Sequence, residues 1–280
     1  MTTKTFPLGG DLTVNRLGFG AMRLPFRTLA GPPRAPEDGV AVLRRALELG
    51  VDHIDTAGFY NRGDVRANEL IRTALAPYPD GLVIATKVGP LPGPDGMPSG
   101  QAAAGQLRGL VEADLRALGL DRLDLVYLRV GGMSGPGGES VAERFAALAE
   151  LREEGLIRHL GVSNVDAAQF AEARAVAPVA AVQNQFADDT GLLAECEAAG
   201  IAYVPFFPLG GGGTPLDTAR LDRVAVRLGA TPQQVALAAL LARSPVTLAI
   251  PGTGDLRHLE ENVAAGDLEL SDADLADLEG

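Results

Sequence analysis

Leu125-Val126-Tyr127-Leu128-Arg129 and Ile157-Arg158-His159-Leu160-Gly161-Val162-Ser163 are two short runs rich in Leu, Ile and Val, and a helical pattern near 139–154 lies between them. Neither run alternates cleanly between apolar and polar residues, which is the pattern of a strand covered on both faces. Strand, helix and strand in that order make a crossover unit, and crossover units build parallel sheets. The same rhythm extends in both directions. Strands are predicted at 17–20, 53–56, 82–87, 125–129, 157–163, 179–185, 202–207 and 247–251. Helices are predicted near 37–49, 65–76, 101–118, 139–154, 166–176, 191–199, 231–243 and 255–265.

Eight alternating units predict an α/β fold of the (β/α)8 TIM barrel type, read as a single barrel domain over residues 1–280. A hairpin at 5–8 and 12–14 precedes the first unit, and an extra helix near 218–228 interrupts the link to the eighth strand. Thr231-Pro232-Gln233-Gln234 supplies an N-cap, a first-turn proline and a capping glutamine, and Ser271-Asp272-Ala273-Asp274 opens a last short helix. The rival is a doubly wound sheet with a Gly-x-Gly-x-x-Gly turn. Gly18-Phe19-Gly20 begins such a turn, but Arg23 stands where the third glycine belongs.

Composition narrows the function. The 280 residues are 46% hydrophobic and 21% charged, and no run of eighteen apolar residues occurs, so a soluble chain with a large core is expected. The net charge of −12 opposes nucleic acid and anionic lipid, so neither is expected as a partner. The one cysteine, Cys196, cannot form an internal disulfide, which fits a reducing, cytoplasmic location. His53, His159 and His258 are far apart and no His-Glu-x-x-His occurs, so no metal site is expected. There is neither a Gly-x-Ser-x-Gly elbow nor a phosphate-binding Walker loop.

Working residues of such a barrel lie at the carboxyl ends of its strands. There the sequence places Met22 and Arg23, Asp55 with Tyr60 five residues on, Lys87, Arg129, Ser163 with Asn164, and Gln183 with Gln185. An acid, a lysine and a tyrosine in one pocket make a proton donor. A phenol ordinarily titrates near 10, and a cation about 4 Å away stabilises its phenolate by roughly 4 kcal/mol at an effective dielectric near 20. Asp55 would hold Lys87 in place and balance its charge.

Together these segments resemble the aldo-keto reductases. The likeness rests on Asp55-Thr56-Ala57 with Tyr60, Thr86-Lys87, Gly161-Val162-Ser163-Asn164, Val182-Gln183-Asn184, Phe207-Pro208-Leu209-Gly210, and Ile250-Pro251-Gly252-Thr253 with Glu261-Asn262. It implies reduction of an aldehyde or ketone by hydride transfer from NADPH, with NAD as a possible alternative cofactor. Tyr60 would be the general acid and Asp55 and Lys87 its activating pair. The nicotinamide carboxamide would lie against Ser163, Asn164 and Gln183. Phe206 falls where the family usually has a tyrosine stacked on the nicotinamide. Met22 would line the cofactor site. Leu209, Gly210 and Gly211 would wrap the pyrophosphate, with the glycine run also acting as a hinge. Gly252, Thr253, His258, Glu261 and Asn262 would meet the adenosine end.

Two departures stand out. Gly252 and His258 occupy positions where many members carry cations for a 2′-phosphate, and Arg257 is a substitute. Arg129 stands where most relatives have histidine. It either adds a fixed positive charge that polarises the carbonyl or grips an anionic oxygen, or it turns aside to a carboxylate such as Glu139. In its strand ends the sequence looks most like a bacterial branch that includes pyridoxal reductases. The loop 131–138 is nearly all glycine around Met133, which predicts a wide mouth. Two other readings are a dinucleotide-binding sensor with little turnover and a barrel lyase without a cofactor.

Overall fold

The computed structural model describes the chain apart from residues 1–3, 28–30, 93–97, 133–134, 186–189, 208, 210–217 and 280. An antiparallel hairpin comes first, β1 (Thr5–Leu8) and β2 (Leu12–Asn15), turned through Gly9 and Gly10, both at positive φ. It buries Phe6, Leu8 and Val14 on one face and sends Asp11 to Arg158 at 2.8 Å and to His159 at 2.5 Å. Those partners belong to the start of a barrel strand, so the hairpin closes the amino-terminal end of the barrel.

The repeating part begins with β3 (Phe19–Gly20), α1 (Pro36–Glu48) and β4 (His53–Asp55). A small hairpin, β5 (Asn61–Arg62) with β6 (Val65–Arg66), leads into α2 (Ala67–Leu75) and β7 (Val83–Val88). A second hairpin, β8 (Pro90–Pro92) with β9 (Pro98–Gln101), precedes α3 (Ala104–Leu118), β10 (Leu123–Arg129), α4 (Ala142–Glu153) and β11 (Ile157–Ser163). Then follow α5 (Ala167–Val176), β12 (Ala181–Gln183), α6 (Thr190–Ala199), β13 (Ala202–Tyr203), α7 (Thr218–Leu228), α8 (Pro232–Ala242), α9 (Leu256–Ala264) and α10 (Asp272–Glu279). The capping signals at 231 and 271 are realised: Gln234 N–H donates to Thr231 Oγ1, and Asp274 N–H to Ser271 Oγ. No single helix among the described residues is long and apolar enough to cross a membrane.

Seven strands pair in parallel in the order β13-β12-β11-β10-β7-β4-β3, and residues 246–251 join the two edges. Thr247 bridges Tyr203 and Ala249 bridges Leu17, with Gly18 N–H donating to Ala249 carbonyl oxygen at 2.9 Å and Leu248 N–H to Tyr203 at 2.9 Å. The eighth strand is therefore a pair of bridges rather than the full run 247–251. The other two late strands are also shorter than predicted. Pro205 lacks a donor and Phe207 sits at φ 56, which ends β13 at Tyr203, short of the expected 207. Beyond β12 the pairing thins to a single parallel bridge, Gln185 with Phe206, where Phe206 N–H donates to the Asn184 carbonyl oxygen at 2.8 Å, while the Asn184 side chain holds both backbone groups of Val165.

Three predicted helix starts also move inward. Residues 65–66 pair back on 61–62, and Pro98–Gln101 form a strand where a helix from 101 was predicted. At 139–141 the chain is held outside the helix by Glu172, which accepts from Ser140 Oγ and from Val141 N–H, both at 2.6 Å.

Closure of the barrel leans on Arg16, buried beneath the last strand. Its guanidinium donates to the carbonyl oxygens of Thr247 at 3.1 Å, Leu241 at 2.5 Å and Ser244 at 2.5 Å. Arg16→Met keeps the stem and leaves those carbonyls without their donor, an expected loss of about 2–3 kcal/mol in denaturant unfolding. A loss below about 0.5 kcal/mol would show that closure does not depend on this side chain.

Candidate active site

The strand ends converge as the barrel geometry requires. Asp55 closes β4, Lys87 lies on β7, Arg129 ends β10, Ser163 ends β11 and Gln183 ends β12. Parallel pairing fixes their heights, since Tyr127 stands opposite Lys87, Arg129 opposite Ser163, and Ser163 opposite Gln183.

A buried ion pair forms the centre. Lys87 Nζ lies 2.5 Å from Asp55 Oδ1 and donates to the Thr56 carbonyl oxygen at 2.9 Å. Both side chains are withdrawn from solvent, with 2% and 5% of their surface exposed. Burial, the largest influence, pulls the lysine pKa down, but Asp55 and then Tyr60 outweigh it and leave a net upward shift. Lys87 therefore stays an ammonium. Tyr60 comes from the loop after β4, its ring centroid 4.9 Å from Lys87 Nζ. Its backbone is tied down at both sides, Tyr60 N–H to Ala57 and Ala67 N–H to Tyr60. Phe59 braces the ring edge-on at 5.3 Å.

The second Asp55 oxygen accepts from Gln183 Nε2 at 2.7 Å. Beneath lies Tyr127, fully buried, whose phenol is pushed well above its ordinary value by burial and then by Asp55, with Gln183 acting against the shift. Gly161 makes room for it, because a methyl there would stand 2.6 Å from the Tyr127 ring.

Arg129 points into the cavity and not to Glu139, whose carboxylate is taken by Arg144 at 3.3 Å. Its guanidinium lies 5.0 Å from the Phe206 ring centroid and donates to Ser163 Oγ at 3.3 Å. Burial lowers its pKa, while Tyr60 and Asp55 act to raise it. A guanidinium remains charged under such an influence.

Two adjoining cavities share Met22, Tyr60, Phe206 and Phe207. The first, about 320 Å³, is walled by Lys87, Arg129 and Gln183 and by Ser99, Gly100 and Gln101 of β9. That hairpin wall is not among the elements expected from the sequence. The second, about 160 Å³, runs past Gly20, Leu209, Ile250 and Gly252. Backbones touch here: a methyl on Gly252 would stand 2.5 Å from the Gly20 carbonyl oxygen.

The remaining expected contacts are differently disposed. Asn164, at φ 62, spends its amide nitrogen on the carbonyls of Val130, Gly132 and Gly135, so its donor holds the loop after β10. Thr253 Oγ1 accepts from Asp255 N–H, and the Asp255 carboxylate in turn accepts from His258 N–H at the start of α9. Glu261 pairs with Arg257 at 3.5 Å and Asn262 is buried on the same helix. Asn164, Thr253, His258, Glu261 and Asn262 line neither cavity, while Gly210, Gly211 and Met133 lie outside the described residues.

The donor set fits a nicotinamide dinucleotide. Gln183, which lines the first cavity, has its Oε1 buried without a hydrogen-bond partner, an acceptor of the kind a carboxamide N–H would satisfy. Phe206 offers an apolar face beside it, and the glycine-lined second cavity admits a chain that passes close to the backbone.

Barrel, buried Asp55–Lys87 pair and rim tyrosine define a reductase-type site, and the comparisons agree. Residues 16–280 match the model of the aldo/keto reductase family. The chain is 48% identical to pyridoxine 4-dehydrogenase of Escherichia coli (strain K12), covering 100% of this chain and 99% of that protein. It is 40% identical to an uncharacterized oxidoreductase of Schizosaccharomyces pombe, over 96% of this chain and 87% of that one. An aldo-keto reductase from Klebsiella pneumoniae, solved in complex with NADPH, superposes with a TM-score of 0.81 at 27% identity, covering 100% of this chain and 95% of that one. The chain belongs to the aldo/keto reductase family. It is an oxidoreductase that interconverts carbonyls and alcohols, and the sensor and cofactor-free lyase readings fall away.

Proposed function

We propose that this chain, acting as a single barrel domain over residues 1–280, reduces an aromatic aldehyde of the pyridoxal type with NADPH, using Tyr60 as general acid. When bound, NADPH supplies the hydride to the carbonyl carbon. Tyr60 gives its proton to the carbonyl oxygen, and the phenolate left behind is stabilised by Lys87 and Arg129 until solvent returns a proton. Asp55 keeps the ammonium oriented and offsets its charge. Gln183 and Ser163 are proposed to hold the carboxamide, and Phe206 the nicotinamide face. Met22, Leu209, Gly210, Gly211 and Gly252 are proposed along the pyrophosphate path, and Thr253, His258, Glu261 and Asn262 around the adenosine.

The observation that carries the substrate class is Arg129. A permanent cation stands in the cavity beside Tyr60, braced on Phe206. Pyridoxal places a phenolate oxygen next to its aldehyde, so the group that meets the reacting carbonyl also meets an anion. The 48% identity to pyridoxine 4-dehydrogenase supports the same class.

The test compares pyridoxal with benzaldehyde in wild type and in Arg129→His, following the absorbance of the reduced nicotinamide. Loss of a charge-assisted hydrogen bond is expected to lower kcat/KM for pyridoxal by about 10- to 100-fold and to affect benzaldehyde far less. Equal effects on both aldehydes, or none on pyridoxal, sink the role given to Arg129.

A further inference from the structure

One buried carboxyl has no part in the chemistry described so far. Asp114 sits on α3, inside the apolar stripe of Leu107, Val111, Leu115 and Leu118, where an acid is costly unless its oxygens are engaged. Both are engaged. Oδ2 accepts from Thr86 Oγ1 at 2.6 Å and Oδ1 from Asn68 Nδ2 at 3.0 Å. Asn68 passes the connection on, its Oδ1 accepting from Thr56 Oγ1 at 2.7 Å. Thr86 precedes Lys87, and the Thr56 carbonyl is the one Lys87 donates to. The same carboxylate presses on the tyrosine loop, since a methyl on Gly58 would stand 2.4 Å from Asp114 Oδ1.

We infer that Asp114 is a positioning residue for the reduction, fixing through Thr86, Asn68 and the backbone at Gly58 the three segments that carry Lys87, Asp55 and Tyr60. The inference rests on the reading of those three residues as the proton-donating group. It adds a dependence on charge. Burial, opposed by Thr86, Lys87 and Asn68, pushes the Asp114 carboxyl up to about 7. Lys87, next to Thr86 on β7 but turned to the other face toward Asp55, acts on Asp114 through its charge. The other charges of the packed elements turn elsewhere: Glu69 of α2 to Arg66, Arg72 to the Arg116 carbonyl, Arg144 of α4 to Glu139, and Glu112 of α3 to Arg116. As pH rises through 7, a second carboxylate thus gains its charge near Lys87 and weakens the positive potential the ammonium presents to Tyr60. Reduction slows in consequence.

Asp114→Ala, Asp114→Asn and Tyr60→Phe test this, with NADPH affinity read by fluorescence titration and kcat read against pH. Asp114→Ala is expected to bind NADPH within about twofold of wild type and to lose about 10- to 100-fold in kcat, the cost of a misplaced donor. Asparagine preserves the shape, accepts from Asn68 through Oδ1 and can donate through Nδ2 to a reoriented Thr86 hydroxyl, so Asp114→Asn is expected to recover most of kcat at pH 6 while lacking the decline near pH 7 expected of wild type. A wild-type kcat in Asp114→Ala, or a decline near pH 7 unchanged in Asp114→Asn, overturns the inference. Should the alanine variant fail to fold, the asparagine profile decides alone. Full turnover by Tyr60→Phe would instead overturn the underlying reading and leave the Asp114 contacts unexplained by chemistry.

Discussion

Tyr60→Phe is expected to lower kcat/KM by about a thousandfold for every aldehyde, with NADPH affinity unchanged within about twofold. The substitution removes one oxygen and nothing else. The ring keeps its edge contact with Phe59, and the loop keeps the backbone hydrogen bonds of Tyr60 to Ala57 and Ala67. Lys87 keeps its carboxylate partner at 2.5 Å, so no uncompensated charge is created. The loss therefore reports proton donation and not collapse of the site. No other phenol can replace it. Tyr127, the nearest in the barrel, lies fully buried below the ion pair, and burial holds its proton far more tightly than an ordinary phenol does. Pre-steady-state measurement of nicotinamide oxidation in single turnovers separates this chemical loss from slow cofactor release. Retention of more than about a tenth of wild-type turnover would falsify the assignment of Tyr60.

How much of this was legible follows from what a barrel does to a strand. A residue at the carboxyl end of a parallel strand is at the rim wherever the strand lies in the chain, so Asp55, Lys87, Arg129, Ser163 and Gln183 could be placed from strand position alone. Tyr60 needed one more step, since it stands in a loop and its spacing from Asp55 carries the information. The hairpin β8–β9 had no readable period, because its prolines and Gly100 obey turn chemistry and not a hydrophobic pattern. Its contribution of Ser99 and Gln101 to the cavity wall was missed with it. Thr253 illustrates a different limit. The family resemblance implied a ligand contact there that strand position alone could not give, and in the structure its hydroxyl oxygen also closes a turn by accepting from Asp255 N–H. Asp114 did leave a signal, an acid in the apolar stripe of an otherwise amphipathic helix. That signal becomes meaningful only when Thr86, Asn68 and Gly58 are seen to meet it.

The second large effect concerns the ion pair, and it separates stability from activity. Asp55→Asn leaves a buried ammonium held only by a neutral amide, the Thr56 carbonyl and Tyr60. Lys87→Met leaves a buried carboxylate with Gln183 Nε2 at 2.7 Å as its one named donor. Each single change strands a charge, and each is expected to cost about 3–5 kcal/mol in denaturant unfolding. The double change, Asp55→Asn with Lys87→Met, removes both charges together and is expected to recover to within about 1–2 kcal/mol of wild type. Turnover is expected to fall steeply in all three, because the phenolate at 60 has lost one of its two cations or that cation its orientation. The pH dependence has a definite sign. A lysine whose folded pKa is raised contributes stability that is fully present below its unfolded value near 10.4 and is lost as pH rises through the folded value. Wild type therefore loses this contribution only in strong alkali, while the two variants that include Lys87→Met show no such step. Additive costs in the double variant would mean that the two side chains act independently. Asp55 and Lys87 would then have two separate structural roles and would not form one electrostatic unit.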